Sequence, residues 1–268
     1  MKARANRRGP VEKPDLSVLG PIREIIRLVE EGKRSKSQLQ AFVEGQNPFV
    51  VSSPLNIDGV IGILGENKVI TAQQAYTAFK RTFVADQAVD AVRHLIRYSE
   101  ETLRECAVLN RFGDRDWRLV YGIPFSLRQQ REIVGVDMTN QPCFYDNDWW
   151  LDERQEEWAT SQPTAGYYLI DFKCRFEHTH WLDQENRIFE MGDVYERADE
   201  RVFSQALISI FQTHNERLHE RTYHWGRMET VDRVRVFVGH FGSTGIEVTG
   251  GSTTSDNNGC CIARKFEL

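Results

Sequence analysis

The chain has 268 residues, of which 40% are hydrophobic and 27% are charged, a composition that is ordinary for a globular protein with a substantial core. Its formal net charge of −5 at pH 7 argues against nucleic-acid binding by the whole surface. No apolar run approaches the roughly 18–20 residues that span a bilayer, and the basic start is not expected to be a secretory signal because no apolar segment follows it. Five cysteines without a paired spacing favour a reducing compartment, so a cytoplasmic protein is expected.

The N-terminal region is predicted to be mostly helical. Residues 1–14 form a basic tail, and residues 15–113 carry apolar residues at helical spacing. An insert at 49–70 differs, because it is apolar and dotted with glycines. We predict two or three short strands there, with turns at Asp58-Gly59 and Glu66-Asn67.

Two further helices are expected between this insert and the end of the region. Thr71 and Gln74 have the spacing of a capping box, which predicts a helix that continues to about Phe83. Apolar residues at helical spacing then predict a long helix from near Asp86 to Asn110. Helices therefore dominate this half of the sequence.

The second region, residues 114–268, begins with elements of mixed type. Residues 117–121 fit a strand, and residues 126–138 fit a helix followed by a strand. The acidic, tryptophan-rich stretch at 145–159 predicts a short helix. An alternation of apolar and charged residues over 168–177 predicts a strand with one buried and one wet face.

A helix and a group of strands complete the chain. An amphipathic stripe predicts a helix that begins near Val194 or Glu200 and ends at Asn215. Three closely spaced strands after it predict an antiparallel meander. The fold class is therefore α+β, with a mostly helical N-terminal part docked on a C-terminal, meander-like antiparallel sheet that has an amphipathic helix packed on it.

The stretch FKCRFEHTHWLDQE, residues 172–185, carries the strongest chemical signal. His178 and His180 are two residues apart, and on a strand such residues point the same way, about 6.5–7 Å apart at Cα, which suits two ligands of one metal. Glu185 is a candidate third ligand. The pattern H-T-H-x4-E-x6-G resembles the first metal-binding motif of the cupins, which are small β-barrels. That resemblance implies that the two histidines and the glutamate bind a divalent metal.

The rest of the chain departs from the cupin pattern. Phe172 replaces the glycine expected six residues before the first histidine, no proline lies beyond Pro163, and residues 194–218 fit a helix. The strand alternation instead places both histidines on the buried face, where an imidazole bonds to the backbone or to a carboxylate. His240 ends the strand at 232–241 in the same way, so three imidazoles would meet if the two strands are neighbours in suitable register.

The segment 217–241 is locally basic. Aromatic residues are interspersed with its five arginines, and three acidic residues interrupt them, which favours a salt-bridged surface over a nucleic-acid interface. The arginines are Arg217, Arg221, Arg227, Arg233 and Arg235.

Three hypotheses for function follow. The first is a non-enzymatic protein that acts by protein–protein contact or as an assembly subunit, with a protein partner or self-association, no membrane and no cofactor. The alternative is a metal-binding domain or metal-dependent enzyme that uses a divalent transition metal at His178 and His180, with Glu185 or His240. The third is nucleic-acid binding through the basic tail and the arginines of 217–241, which the net acidity disfavours.

Overall fold

Two β-sheets organise the part of the chain that the computed structural model describes, which is residues 55–82, 96–254 and 258–267. These residues belong to one compact unit, Pro54–Leu268. The predicted basic tail at 1–14, the start of the insert at 49–70 and the first part of the helix predicted from Asp86 lie outside the described residues.

Eight strands form the two sheets of the described part. Strands β1 to β4 and β8 form a five-stranded sheet in the order β1-β2-β3-β8-β4, in which β1 and β2 are parallel and the other neighbours antiparallel. Strands β5, β6 and β7 form an antiparallel meander. The meander predicted from the strands at 232–241, 245–250 and 260–268 was therefore wrong in its third strand, because β8 pairs with β3 and β4 in the five-stranded sheet and β5 takes its place. In chain order the strands are β1 (Val69–Ile70), β2 (Trp117–Gly122), β3 (Gly166–Arg175), β4 (Tyr195–Arg197), β5 (Tyr223–Glu229), β6 (Arg235–Gly242), β7 (Gly245–Gly251) and β8 (Cys260–Arg264).

Seven α-helices lie among these strands in the described residues, and the predicted α+β class is confirmed. None of these helices has both the length and the apolar character needed to cross a membrane. The helices are α1 (Ile57–Leu64), α2 (Ala72–Ala78), α3 (Glu100–Arg111), α4 (Leu127–Val134), α5 (Glu156–Thr160), α6 (Trp181–Met191) and α7 (Glu200–His214).

Helix α7 lies between the two sheets. Its Phe203 ring stacks on Phe172 of β3 with the ring centroids 5.6 Å apart, and its Phe211 ring meets Phe241 of β6 edge-on, also at 5.6 Å. The predicted amphipathic helix is therefore buried all round over most of its length. The polar side chain of Gln205 has hydrogen-bond partners inside this core, because it accepts from the N–H of Ile123 and donates to the C=O of the same residue.

The prediction of strands over the insert was wrong for residues 57–64, which form α1. The Asn56 side chain accepts a hydrogen bond from the Gly59 N–H and caps this helix. Val60 and Leu64, one turn apart, are the buried positions. A short 3-10 helix then covers Glu66–Lys68, and among the described residues of the insert only Val69 and Ile70 form a strand.

The capping box of Thr71 and Gln74 is confirmed and starts α2. The helix predicted from Asp86 is not continuous, because residues 96–99 are not helical and α3 begins at Glu100. Its cap is the Ser99 side chain, which accepts a hydrogen bond from the Thr102 N–H. A serine cap followed by two glutamates therefore starts α3 at a position that apolar spacing alone did not indicate.

The segments between β2 and β3 are also helical, in shorter pieces than expected. Residues 126–138 contain α4, which Gly135 ends with a φ of +80°, and the strand expected after it does not form. The stretch 145–159 contains two 3-10 turns, Trp149–Leu151 and Glu153–Gln155, ahead of α5.

The strand predicted over 168–177 is β3, but its faces differ from the expectation. Asp171, predicted to face water, is fully buried and accepts hydrogen bonds from the Asp116 N–H and the Arg115 guanidinium. The strand ends at Arg175, because Phe176 and His178 adopt left-handed backbone conformations. Helix α6 follows directly, and the sequence patterns did not predict it.

Candidate functional site

His178 and His180, the first two predicted metal ligands, lie in the turn between β3 and α6. His178 has a φ of +58°, and His180 is the residue immediately before α6. Both are exposed. The expectation that they extend the buried face of a strand was therefore wrong, because the chain leaves the sheet before it reaches them.

Glu185, the third predicted ligand, pairs with a buried arginine. Its carboxylate accepts a hydrogen bond of 2.6 Å from Arg197 of β4, whose side chain is only 1% exposed. The same guanidinium donates to the Gln184 side chain and lies over the Trp181 ring. Glu185 thus compensates a charge that would be costly to leave unpaired.

His240, the fourth candidate, lies on β6 in a small surface cluster. Its Nδ1 atom is 3.7 Å from the Glu247 carboxylate, and its ring stacks on Tyr223. The Tyr223 hydroxyl donates to the same carboxylate. Burial of the phenol and this neighbouring carboxylate raise the pKa of Tyr223.

These four residues do not assemble as a metal site in the described part of the chain, which contains all of them. Its His, Cys, Asp and Glu side chains form no group of three or more that could hold a metal ion. Glu185 is bound to Arg197, and His240 has Glu247 and Tyr223 as its neighbours.

Two histidines that the sequence did not single out lie near β8, where His224 is buried and His219 is half-buried. His219 bonds the Phe172 carbonyl at 2.7 Å and lies 3.5 Å from the Cys261 thiol. Burial lowers the pKa of His219 to about 4 and raises that of Cys261. His224 accepts a hydrogen bond from the Cys261 N–H. A neutral imidazole beside a neutral thiol is a packing arrangement and not an activated nucleophile.

The arginines of 217–241 are largely engaged within the protein. Arg217 donates to the Gly242 carbonyl, Arg227 pairs with Glu196 at 2.9 Å, and Arg235 pairs with Glu229 at 3.1 Å. These contacts fit the salt-bridged surface that the interspersed acids predicted.

Two large apolar side chains of α6 are exposed on the protein surface. Leu182 is 63% exposed and Phe189 is 79% exposed, and their spacing of seven residues places them on one face of the helix, two turns apart. Val194, 40% exposed, follows the helix. We refer to Leu182, Phe189 and Val194 as the α6 surface.

The opposite face of α6 is fixed to the core. Ile188 is buried there, and the buried Gln184 side chain donates to the Phe176, Thr179 and Asn258 carbonyls. Because its inner face is held by these contacts, the helix has a defined orientation and presents the α6 surface to solvent.

A groove of about 380 Å³ borders the α6 surface and lies between α6 and β4. Phe189 and Ile188 line it on the helix side, and Tyr195 lines it on the strand side. Four of the charged residues that line the groove form ion pairs with one another, since Glu185 pairs with Arg197 and Glu196 pairs with Arg227.

Three other carboxylates at this site form no ion pair with any residue that the structure describes. They are Asp183, Glu190 and Asp193. Positive charge lies among these carboxylates, because Arg187 is between Asp183 and Glu190 on the same face of α6 and Lys265 lines the groove with Asp193.

Comparisons with known proteins add no template for this site. The chain matches no protein-family model, no curated protein and no solved structure. The described side chains are therefore the basis for any functional argument.

Proposed function

We propose that this chain is a non-enzymatic interaction subunit that binds a partner protein through the α6 surface. The observation that carries the proposal is the exposure of Phe189 and Leu182, at 79% and 63%, on one face of a helix beside a groove. Single exposed apolar residues are common on soluble proteins, but a cluster that adjoins a groove and has a polar rim is typical of an interaction site.

Burial of a Phe or Leu side chain that was exposed contributes about 1.5–3 kcal/mol each. Aromatic residues at the centre of an interface are frequent contributors to binding free energy. Phe189 is the most exposed aromatic residue among those described, which makes it the expected centre of the contact.

The chemistry elsewhere supports the same proposal. The buried thiol of Cys261 and the imidazole of His219 are both neutral near pH 7. The carboxylate of Glu185 is occupied by Arg197. Cys261, His219 and Glu185 therefore contact other residues of the fold, as expected of groups with a structural role.

A variant series tests the proposal. Full-length protein, the Leu182→Ser/Phe189→Ser double variant and a Phe112→Ser control are each cross-linked in extracts of the source cells. Phe112 is 76% exposed and lies at the end of α3, so its replacement changes surface hydrophobicity elsewhere. A partner that is retained by the wild type and the control, lost with the double variant, and bound again after purification supports the proposal.

An unchanged set of cross-linked proteins for all three forms contradicts it. Sedimentation of the same forms identifies the partner type. If the wild type and control are dimers and the double variant is a monomer, the partner is a second copy of the chain.

A further inference from the structure

We infer that Glu200 makes a pH-sensitive contact between the start of α7 and residues 226–228 of β5, and that ionisation of its carboxyl group favours release of these residues from the helix. This inference goes beyond the proposed function and does not depend on it. It is carried by the burial of Glu200, by its hydrogen-bond donors and by the pairing of the cations around it. We refer to residues 226–228 as the β5 segment.

The carboxyl group of Glu200 joins α7 to the β5 segment. Glu200 is the first residue of α7 and is 1% exposed. Its Oε1 atom accepts a hydrogen bond of 2.5 Å from the Met228 N–H, and its Oε2 atom accepts one of 3.1 Å from the Arg227 N–H. The pairing of β5 with β6 shifts between Trp225 and Glu229, where three residues of β5 lie opposite one residue of β6. The β5 segment is therefore held less by the strand ladder than by this side chain.

Gly226 allows the carboxyl group to approach β5 so closely. A Cβ atom at this position would lie 2.5 Å from Oε1 and 2.8 Å from Oε2 of Glu200, which is closer than non-bonded atoms pack. The carboxyl group therefore occupies the space that any other side chain at position 226 would need.

The charged groups around Glu200 leave its carboxyl group without a counter-ion in the described part of the chain. His224 of β5 is neutral, because burial lowers its pKa. Three arginines of the surrounding elements are each paired with another carboxylate. The pairs are Arg201 with Asp199, Arg227 with Glu196, and Arg197 with Glu185.

Ionisation of Glu200 is unfavourable while the contact is closed. A buried carboxylate without a cation has lost its hydration, and the two backbone N–H groups offset only part of that cost. Burial, followed by repulsion from Asp199, raises the pKa of Glu200 to about 7. Above this pH, water can solvate the charge only if the β5 segment moves away from α7.

Release of the β5 segment changes the lining of two grooves. Arg227 lines the groove between α6 and β4. Met228 lines a second groove of about 350 Å³, beside Trp158. The protonation state of Glu200 thus affects the surface next to α6, although the carboxyl group itself is buried in the core.

Hydrogen exchange of the full-length protein, corrected for the intrinsic exchange rate at each pH, measures this release. The pKa of Glu200 is about 7 in the closed contact and 4.5 for an exposed group. Protection of the Arg227 and Met228 amides should therefore fall about tenfold between pH 6 and 8. The amides of residues 203–208 in α7 should remain at least about tenfold better protected at pH 8. Equal protection of the two sets would mean that the β5 segment opens only when the whole fold unfolds, which overturns the inference.

Two variants assign the response to Glu200. Glu200→Gln keeps the size of the side chain but cannot ionise, so protection of the two amides should not change with pH. Glu229→Gln removes an exposed carboxylate of the same strand and should keep the wild-type response. The inference is overturned if the wild type shows no response, if Glu200→Gln still shows it, or if Glu229→Gln loses it.

A direct titration covers the case in which Glu200→Gln does not fold. The carbon-13 chemical shift of the Glu200 carboxyl group is followed in the wild type as the pH changes. A midpoint above pH 6 supports the inference, and a midpoint below pH 6 overturns it.

Discussion

Helices α6 and α7 are neighbours in sequence but differ in how the fold uses them. Helix α7 lies between two sheets, and its residues from Val202 to Ile210 are buried. Helix α6 has one face on the protein and leaves Leu182 and Phe189 in solvent. The difference shows that α7 is central to the core, whereas the outer face of α6 contributes little to it.

The largest effect is expected in α7. Phe203→Ala removes a ring that stacks on Phe172 and also contacts His219 and His224. The loss of apolar burial and the resulting cavity should lower the free energy of unfolding by about 3–5 kcal/mol. Urea denaturation measures this. A loss below about 1 kcal/mol would mean that α7 is not the centre of the core.

The start of α7 should also make stability depend on pH. Glu200 is buried, and its carboxylate accepts hydrogen bonds from the Arg227 and Met228 N–H groups of β5. Burial, followed by repulsion from Asp199, raises the pKa of Glu200 to about 7. The folded state then binds the proton more tightly than the unfolded state, in which the pKa is about 4.5.

The order of these two pKa values gives the direction in which stability changes with pH. The contribution of Glu200 to stability is fully present below pH 4.5 and is lost as the pH rises through about 7. A shift of this size corresponds to roughly 3 kcal/mol. In urea titrations between pH 5 and 8, the free energy of unfolding of the wild type minus that of Glu200→Gln should therefore fall as the pH rises. A constant or rising value of this difference contradicts the prediction.

A smaller effect is expected where α6 is attached. Gln184→Ala removes the donor to three carbonyls and the acceptor for Arg197. We expect a loss of about 2–3 kcal/mol, because the buried groups left behind have no partner. Hydrogen exchange should show the amides of α6 exchanging faster while those of α7 remain protected. Equal acceleration in both helices would show that they unfold as one unit.

The same two helices explain what the sequence could and could not predict. The sequence predicted helix α7 because its apolar residues recur at helical spacing. It did not predict that the helix is buried on every side. Helix α6 was missed because polarity does not separate its two faces. The polar Gln184 is buried beside the apolar Ile188, and the apolar Phe189 is exposed, so no continuous apolar stripe marks the inner face.

The candidate site was hidden for a related reason. The alternation over β3 is real, but nothing in it predicts that Phe176 and His178 adopt left-handed conformations and turn the chain away. The pairing of Glu185 with Arg197 joins two elements across a loop, and such contacts depend on tertiary packing. Capping signals such as Thr71 with Gln74 were predictable because they are local.

The smallest effect on stability is expected at the α6 surface. Phe189→Ser replaces a side chain that is 79% exposed, so the free energy of unfolding should change by no more than about 0.5 kcal/mol. Urea denaturation beside Phe203→Ala provides the measurement, since both variants lose a phenyl ring. A large loss for Phe189→Ser would mean that this ring supports the fold. A negligible loss of stability for Phe189→Ser, together with loss of partner binding, would show that the two helices have different roles. Phe189 would then be required for the contact with the partner, and Phe203 for the fold.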